Sequence, residues 1–281
     1  MKYTFSRLLP VIFLAACTTT KQPEPVASNT FSPMSVSEDE PEIDNCAVGC
    51  PVGGSQQTVI REAYTLNNNR NTRFANWVAY KVTHDSIASG GTRNWRRDPV
   101  LPESDTLAPA AYTGANAALS IDRGHQAPLA GLAGSSDWQA LNYLSNITPQ
   151  RSALNQSPWA RLELQERLLA SRPNPPPVYV VTGPLFTRKI ATLPAAPDVE
   201  IPSGYWKVIF TGNRPETGEF AAFIMDQDTP RAANICHYQV TINEIEAKTK
   251  PHLNIWPSLP KEVATKLKSR KGTLAKAMRC L

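Results

Sequence analysis

The chain has 281 residues, with 29 Lys plus Arg against 24 Asp plus Glu, a formal net charge of +5 and five cysteines. Past its first residues it holds no run of the roughly 20 apolar residues that a spanning helix requires, which excludes a helical membrane-embedded body. Its four histidines, His84, His125, His237 and His252, show no pair at the spacing of a metal-binding helix, which argues against a His-rich zinc site.

Residues 1–16 read as a lipoprotein signal peptide. Lys2 and Arg7 precede an apolar run from Leu8 to Ala16, too short to span a bilayer. Leu14-Ala15-Ala16-Cys17 resembles the bacterial lipobox, in which cleavage leaves Cys17 as the lipidated N-terminus; ordinary signal cleavage beside an incidental cysteine is the alternative. Residues 17–45 carry Pro, Ser, Thr, Glu and Asp with few large apolar side chains. Such a segment cannot bury a core and reads as a disordered acidic linker, spanning on the order of 30 Å as a flexible coil. A lipid-anchored protein of the bacterial cell envelope follows, and Thr18 after the cysteine points to the outer membrane; a secreted protein is the alternative. Setting aside the six acids and three bases of residues 1–45 leaves 26 basic and 18 acidic residues, a surplus that suits a polyanionic partner.

Residues 46–281 read as one α+β domain. Short apolar, β-branched segments at 76–83, 178–183, 206–212, 220–226 and 237–242 predict strands. The turn-forming "NRPETGE" makes 206–226 a hairpin. Helices are predicted over 157–171, 241–249 and 259–269. In the first, Ser157 suits the N-cap and Pro158 the first helical position, so Asn155 precedes the helix. Trp159, Leu162 and Leu169 then share one face. Thr241 and Glu244 have capping-box spacing. Runs of strands with helices between them favour an antiparallel central sheet with flanking helices. With Cys17 lipidated, four cysteines remain for an oxidising compartment. They pair as Cys46–Cys50, closing a small loop, and Cys236–Cys280, which would constrain the unfolded chain by about 4 kcal/mol. A cysteine zinc site lacks a second CxxC nearby.

Chemistry concentrates in two stretches. Asp122-Arg123-Gly124-His125 places a group that titrates near neutrality beside a planar fork of donors suited to phosphate. The glycine allows close approach of a backbone or ligand. A single histidine suits a general base. About twenty residues on, Asn146, Gln150, Asn155 and Glu163 follow in quick succession. Asparagine is a neutral oxygen ligand, and a hard cation such as Mg²⁺ takes oxygen and keeps several waters. On an ideal helix Asn155 and Glu163 would point about 80° apart, so both could not hold one ion directly.

Six ordered blocks, "TRNWRRDP", "DTLAPAAYTGANAAL", "DRGHQAPLA", "LNYLSNITPQ", "LNQSPWARLE" and "VTGPLF", resemble the DNA/RNA non-specific endonucleases of the Serratia nuclease type. The resemblance spans essentially residues 46–281 and implies a ββα-metal element within a larger α+β domain. It places the general base on His125 and the single protein ligand to Mg²⁺, with Mn²⁺ as a substitute, on Asn155. Supporting roles fall on Arg93, Arg123, Asn146 and Glu163, with Asp122 and Gln150 matching as well. The disulfide pairing agrees with the family, and a homodimer is a further implication. The chain departs from the secreted type in its lipobox and linker, and in Ser157-Pro158 just after the metal ligand.

The expected reaction is hydrolysis of phosphodiester bonds of DNA and RNA to 5′-phosphate products. Neutral His125 would take a proton from an in-line water and Glu163 would orient the ion's water shell. Arg93 and Arg123 would stabilise developing charge. Asn146 and Gln150 would position water or substrate. Activity is expected to decline between pH 8 and 5 as His125 protonates. The alternatives are a lipid-anchored nucleic-acid-binding or uptake protein with little catalysis, and a phosphodiesterase for another envelope polyanion.

Overall fold

Seven strands, in the spatial order 58–60, 65–69, 74–82, 178–185, 204–211, 219–226 and 239–240, make one antiparallel sheet in the computed structural model. In chain order the strands are β1 (Thr58–Ile60), β2 (Thr65–Asn69), β3 (Phe74–Val82), β4 (Ile121–His125), β5 (Ile147–Arg151), β6 (Val178–Leu185), β7 (Thr192–Leu193), β8 (Ala196–Glu200), β9 (Gly204–Thr211), β10 (Glu219–Asp226) and β11 (Gln239–Val240). The helices are α1 (Ala115–Leu119), α2 (Leu129–Leu132), α3 (Ser152–Leu154), α4 (Ala160–Ala170), α5 (Ile242–Glu246) and α6 (Lys261–Lys268). The described residues are Met1, 43–46 and 48–278. The signal peptide, Cys17, nearly all of the linker and the Cys236–Cys280 pairing fall outside them in whole or part; the Cys46–Cys50 disulfide is formed.

Both faces of the central strands are covered, so these strands read as continuous apolar runs. Along β9 alternate residues serve different cores. Tyr205 and Ile209 join the layer under α4, while Trp206, Val208 and Phe210 join the layer that includes Ile242, Trp256 and Leu267. The same alternation runs through β6 and β10. Lys207 is the exception on β9. Its Nζ lies 2.6 Å from Glu166 Oε1 of α4 and donates to the Tyr80 hydroxyl of β3 at 3.0 Å, and that hydroxyl donates to Glu166 Oε2 at 2.9 Å. Trp159 roofs the ammonium at 4.7 Å. The fully buried triad, with Leu162 and Leu169, fixes α4 to the sheet.

The α+β class, the antiparallel sheet and the 204–226 hairpin match the sequence reading, and the capping box at Thr241 and Glu244 is complete. Two expectations change. The predicted strand 237–242 shrinks to two-residue β11 between the end of a 3-10 turn and the start of α5, because Thr241 is taken as the N-cap of α5. The helix expected to start at Ser157 instead starts at Ser152 and passes through a π turn, Asn155–Trp159, with Pro158 inside it. Asn155 therefore lies on the helical path and not before it.

Candidate active site

Strands β4 and β5 form a separate two-stranded ribbon with Asp122 opposite Gln150 and His125 opposite Ile147. β5 runs directly into α3, the π turn and α4. This ββα unit carries Asp122, Arg123 and His125 on one strand and Asn155 and Glu163 on the helical arm. The ribbon and arm, with the loop bearing Arg93 and Trp95, enclose an open cleft of about 540 Å³ lined by all seven of these residues.

Asp122 ties ribbon to helix. Its Oδ1 accepts from Asn116 Nδ2 (2.9 Å) and Ser152 Oγ (2.7 Å), and its Oδ2 from Asn155 Nδ2 (3.0 Å) and Gln156 Nε2 (2.9 Å). The nitrogen of the Asn155 amide is thereby committed, and its oxygen remains as the acceptor available to the cleft.

His125 is held in the same manner. Its Nε2 is 3.3 Å from Asn142 Oδ1, and Trp95 lies against the ring at 5.3 Å between centroids. With Nε2–H donating to Asn142, Nδ1 keeps its lone pair. Burial pushes the imidazole pKa down to about 4, opposed by the Asn142 hydrogen bond and assisted by the nearby Arg93 charge. Desolvation disfavours the imidazolium, so the ring keeps its lone pair to lower pH than a solvent-exposed histidine.

Arg123 is sandwiched between aromatic faces, 5.7 Å from Trp95 and 5.2 Å from Tyr112, while its Nη2 donates to Pro109 O at 3.1 Å. Arg93 is exposed at the rim. Glu163 is half-buried, and burial raises its pKa to about 7; Lys207 and Arg167 oppose the rise and Glu166 adds to it. The Trp159 indole N–H also favours the Glu163 carboxylate, yet makes no hydrogen bond of normal geometry.

Two residues read from sequence as touching substrate stand elsewhere. Asn146 is fully buried, its Oδ1 accepting from Ala127 N and its Nδ2 donating to Ala127 O and Leu141 O. These three bonds brace the segment after His125. Gln150 is also fully buried, does not line the cleft, and packs over Gly124, where a Cβ would collide with its Oε1. Gly124 is thus needed for the approach of Gln150, not of a ligand. Asn142, Trp95 and Tyr112 escaped the sequence reading because a lone Asn or aromatic carries no spacing signal.

The donor set suits a hard divalent ion. It offers an uncommitted carboxamide oxygen at Asn155 and a carboxylate at Glu163, in a cleft wide enough for waters. Among the described residues no group of three or more His, Cys, Asp or Glu forms a cluster that could hold a metal.

The family model described as DNA/RNA non-specific endonuclease matches residues 42–262. A nuclease of Serratia marcescens is 56% identical over 257 residues, covering 91% of this chain and 96% of that protein. A nuclease of Syncephalastrum racemosum is 29% identical over 245 residues, covering 79% and 72%. A chain in the crystal structure of an EndoG/EndoGI complex shares the fold with a TM-score of 0.63 at 21% identity, covering 75% of this chain and 90% of that one.

Proposed function

We propose, for a chain that belongs to the DNA/RNA non-specific endonuclease family, that hydrolysis proceeds with His125 as general base and a Mg²⁺ ion held by Asn155, giving 5′-phosphate products. The observation that carries this reading is the meeting in one cleft of an imidazole whose Nδ1 is free and a carboxamide whose oxygen is free. Membership of a hydrolytic endonuclease family sets aside the reading as a non-catalytic capture protein.

Neutral His125 accepts a proton from water at Nδ1 as that water attacks phosphorus, and the P–O3′ bond breaks with the departing O3′ taking a proton from a second water in the cleft. Asn142 keeps the proton on Nε2, which leaves the lone pair on Nδ1 of a ring that lines the cleft. Arg123, immobilised between Trp95 and Tyr112, and Arg93 stabilise the charge that develops on the phosphoryl oxygens. Asp122 fixes the Asn155 amide with its oxygen outward, and Glu163 orients water in the cleft. Asn155 would hold Mg²⁺, or Mn²⁺ in its place, and the ion would supply neutralisation of the negative charge that develops during cleavage. No group in this set addresses a 2′-hydroxyl or a base edge, so DNA and RNA are both substrates and sequence preference is weak.

Plasmid nicking with Mg²⁺ and with EDTA tests the reading. Cleavage with the metal, abolished by EDTA and in Asn155→Ala, is the expected result; EDTA-resistant cleavage would overturn it. The same proposal includes lipidation at Cys17 and display from the cell envelope. Palmitate labelling that disappears in Cys17→Ser, with release to the soluble fraction, is expected. A homodimer is tested by light scattering of the purified protein.

A further inference from the structure

Arg231 is not among the residues that line the cleft, yet it touches one that is. Its Nη2 donates to Gln156 Oε1 at 3.2 Å and its Nη1 to Ser157 Oγ at 3.3 Å. Gln156 lines the cleft beside Asn155, and its amide nitrogen donates to the same Asp122 oxygen as the amide nitrogen of Asn155. Arg231 is exposed, and its two bonds leave further N–H donors of the planar fork for an anion.

The other arginines on this flank are already engaged. Arg188 lies 2.6 Å from Asp226 and 2.8 Å from Asp228, and Arg151 pairs with Asp228. Among the described residues no carboxylate lies within ion-pair distance of Arg231. Its backbone is also fixed. Arg161 of α4 donates to the carbonyls of Arg231 (3.0 Å) and Ala233 (2.6 Å), and Ala233 N donates to Pro230 O at 3.0 Å. An exposed guanidinium without a counter-charge, on a segment held in place, costs little ordering when it takes an anion.

A nucleic-acid strand carries a charge on every nucleotide, so a strand with its scissile phosphate in the cleft presents further phosphates where it leaves. A strand that leaves over Gln156 meets Arg231. We infer that Arg231 forms a second phosphate site, which holds the backbone phosphate next to the scissile one on the Asn155 side of the cleft. The inference rests on the reading of the cleft as the place of the scissile phosphate.

The test is fluorescence anisotropy of a labelled single-stranded oligonucleotide, kept uncut by EDTA, against salt. Four full chains are compared: unaltered, Arg231→Ala, Arg231→Lys and Arg93→Ala. Loss of one phosphate contact should make the slope of log affinity on log salt shallower by about 0.7 in Arg231→Ala. Its deficit against the unaltered chain then shrinks about fourfold between about 50 and 400 mM salt. Arg231→Lys keeps the charge and should keep the unaltered slope. With Mg²⁺ and saturating DNA, kcat of Arg231→Ala should stay within about twofold while KM rises. Unaltered binding in Arg231→Ala beside weakened binding in Arg93→Ala overturns the second site and leaves the cleft reading intact. A Lys variant with the Ala slope also overturns it. So does a kcat that falls with affinity, because Arg231 would then act through Gln156 on the Asn155 site. Unaltered binding in both Ala variants, or an unaltered chain that does not bind, overturns the cleft reading and the inference with it.

Discussion

Lowering the pH from 8 to 5 separates two groups that burial shifts in opposite directions. His125 is pulled down to about 4 and Glu163 is pushed up to about 7. With a pKa near 4, about 90% of His125 is still neutral at pH 5, whereas an unperturbed imidazole would be protonated in all but a few per cent of molecules. At saturating Mg²⁺ the rate at pH 5 should therefore lie close to its value at pH 7. An unperturbed histidine would give a loss of about thirtyfold. Glu163 acts on metal affinity instead. Below pH 7 its proton must leave before the carboxylate can orient an ion's waters, so apparent Mg²⁺ affinity should fall about tenfold per pH unit. The two shifts also oppose each other in stability. Stability from His125 is lost as pH falls from 6.5 toward 4, because only the unfolded chain takes the proton. Stability from Glu163 is gained as pH falls from 7 toward 4.5, because the folded chain takes it first. Each amounts to about 3 kcal/mol at most, so the fold persists and a rate change reports chemistry. The assay is initial-rate hyperchromicity on DNA with a Mg²⁺ titration at each pH. A metal-saturated rate that drops about thirtyfold between pH 7 and 5 would refute the buried neutral imidazole.

Three further outcomes follow. His125→Ala should keep its circular dichroism and lose about 10²–10⁴-fold in kcat; near-normal turnover would remove the general-base assignment. Lys207→Met leaves the Glu166 carboxylate buried without its cation, which should cost about 3–5 kcal/mol in urea unfolding, and a loss below about 1 kcal/mol would contradict the role given to the triad. Substrate capture rests on phosphate contacts at Arg93 and Arg123, so KM for DNA should rise steeply between 50 and 200 mM salt, with a shallower slope in Arg93→Ala; a salt-independent KM would argue against phosphate-led binding.

Where local chemistry and tertiary demand agreed, the sequence was legible. The 204–226 hairpin has apolar strands around a polar turn, and Thr241 with Glu244 caps a helix through its own neighbours. β4 and β5 were not read as strands, because Asp122, Gly124 and Pro149 are poor strand formers that this ribbon accepts to serve the site. Ser157 and Pro158 carry the marks of a helix start, but the burial of both Leu154 and Trp159 continues the helix through them as a π turn. His125, Asn155, Arg93, Arg123 and Glu163 share the cleft as their motifs suggested. Asn146 and Gln150 lie in the same motifs but are buried and do not line the cleft, a placement set by the turn before β5 and by the face of β5 and not by residue type.

The central claim is that the imidazole of His125 and an ion held by Asn155 address the same phosphate. Mn²⁺ added to the side-chain-labelled protein tests it through paramagnetic broadening of histidine resonances. Selective broadening of His125 at stoichiometric Mn²⁺, lost in Asn155→Ala, is the predicted result. A sharp His125 signal while other resonances broaden would place the ion elsewhere and contradict the account.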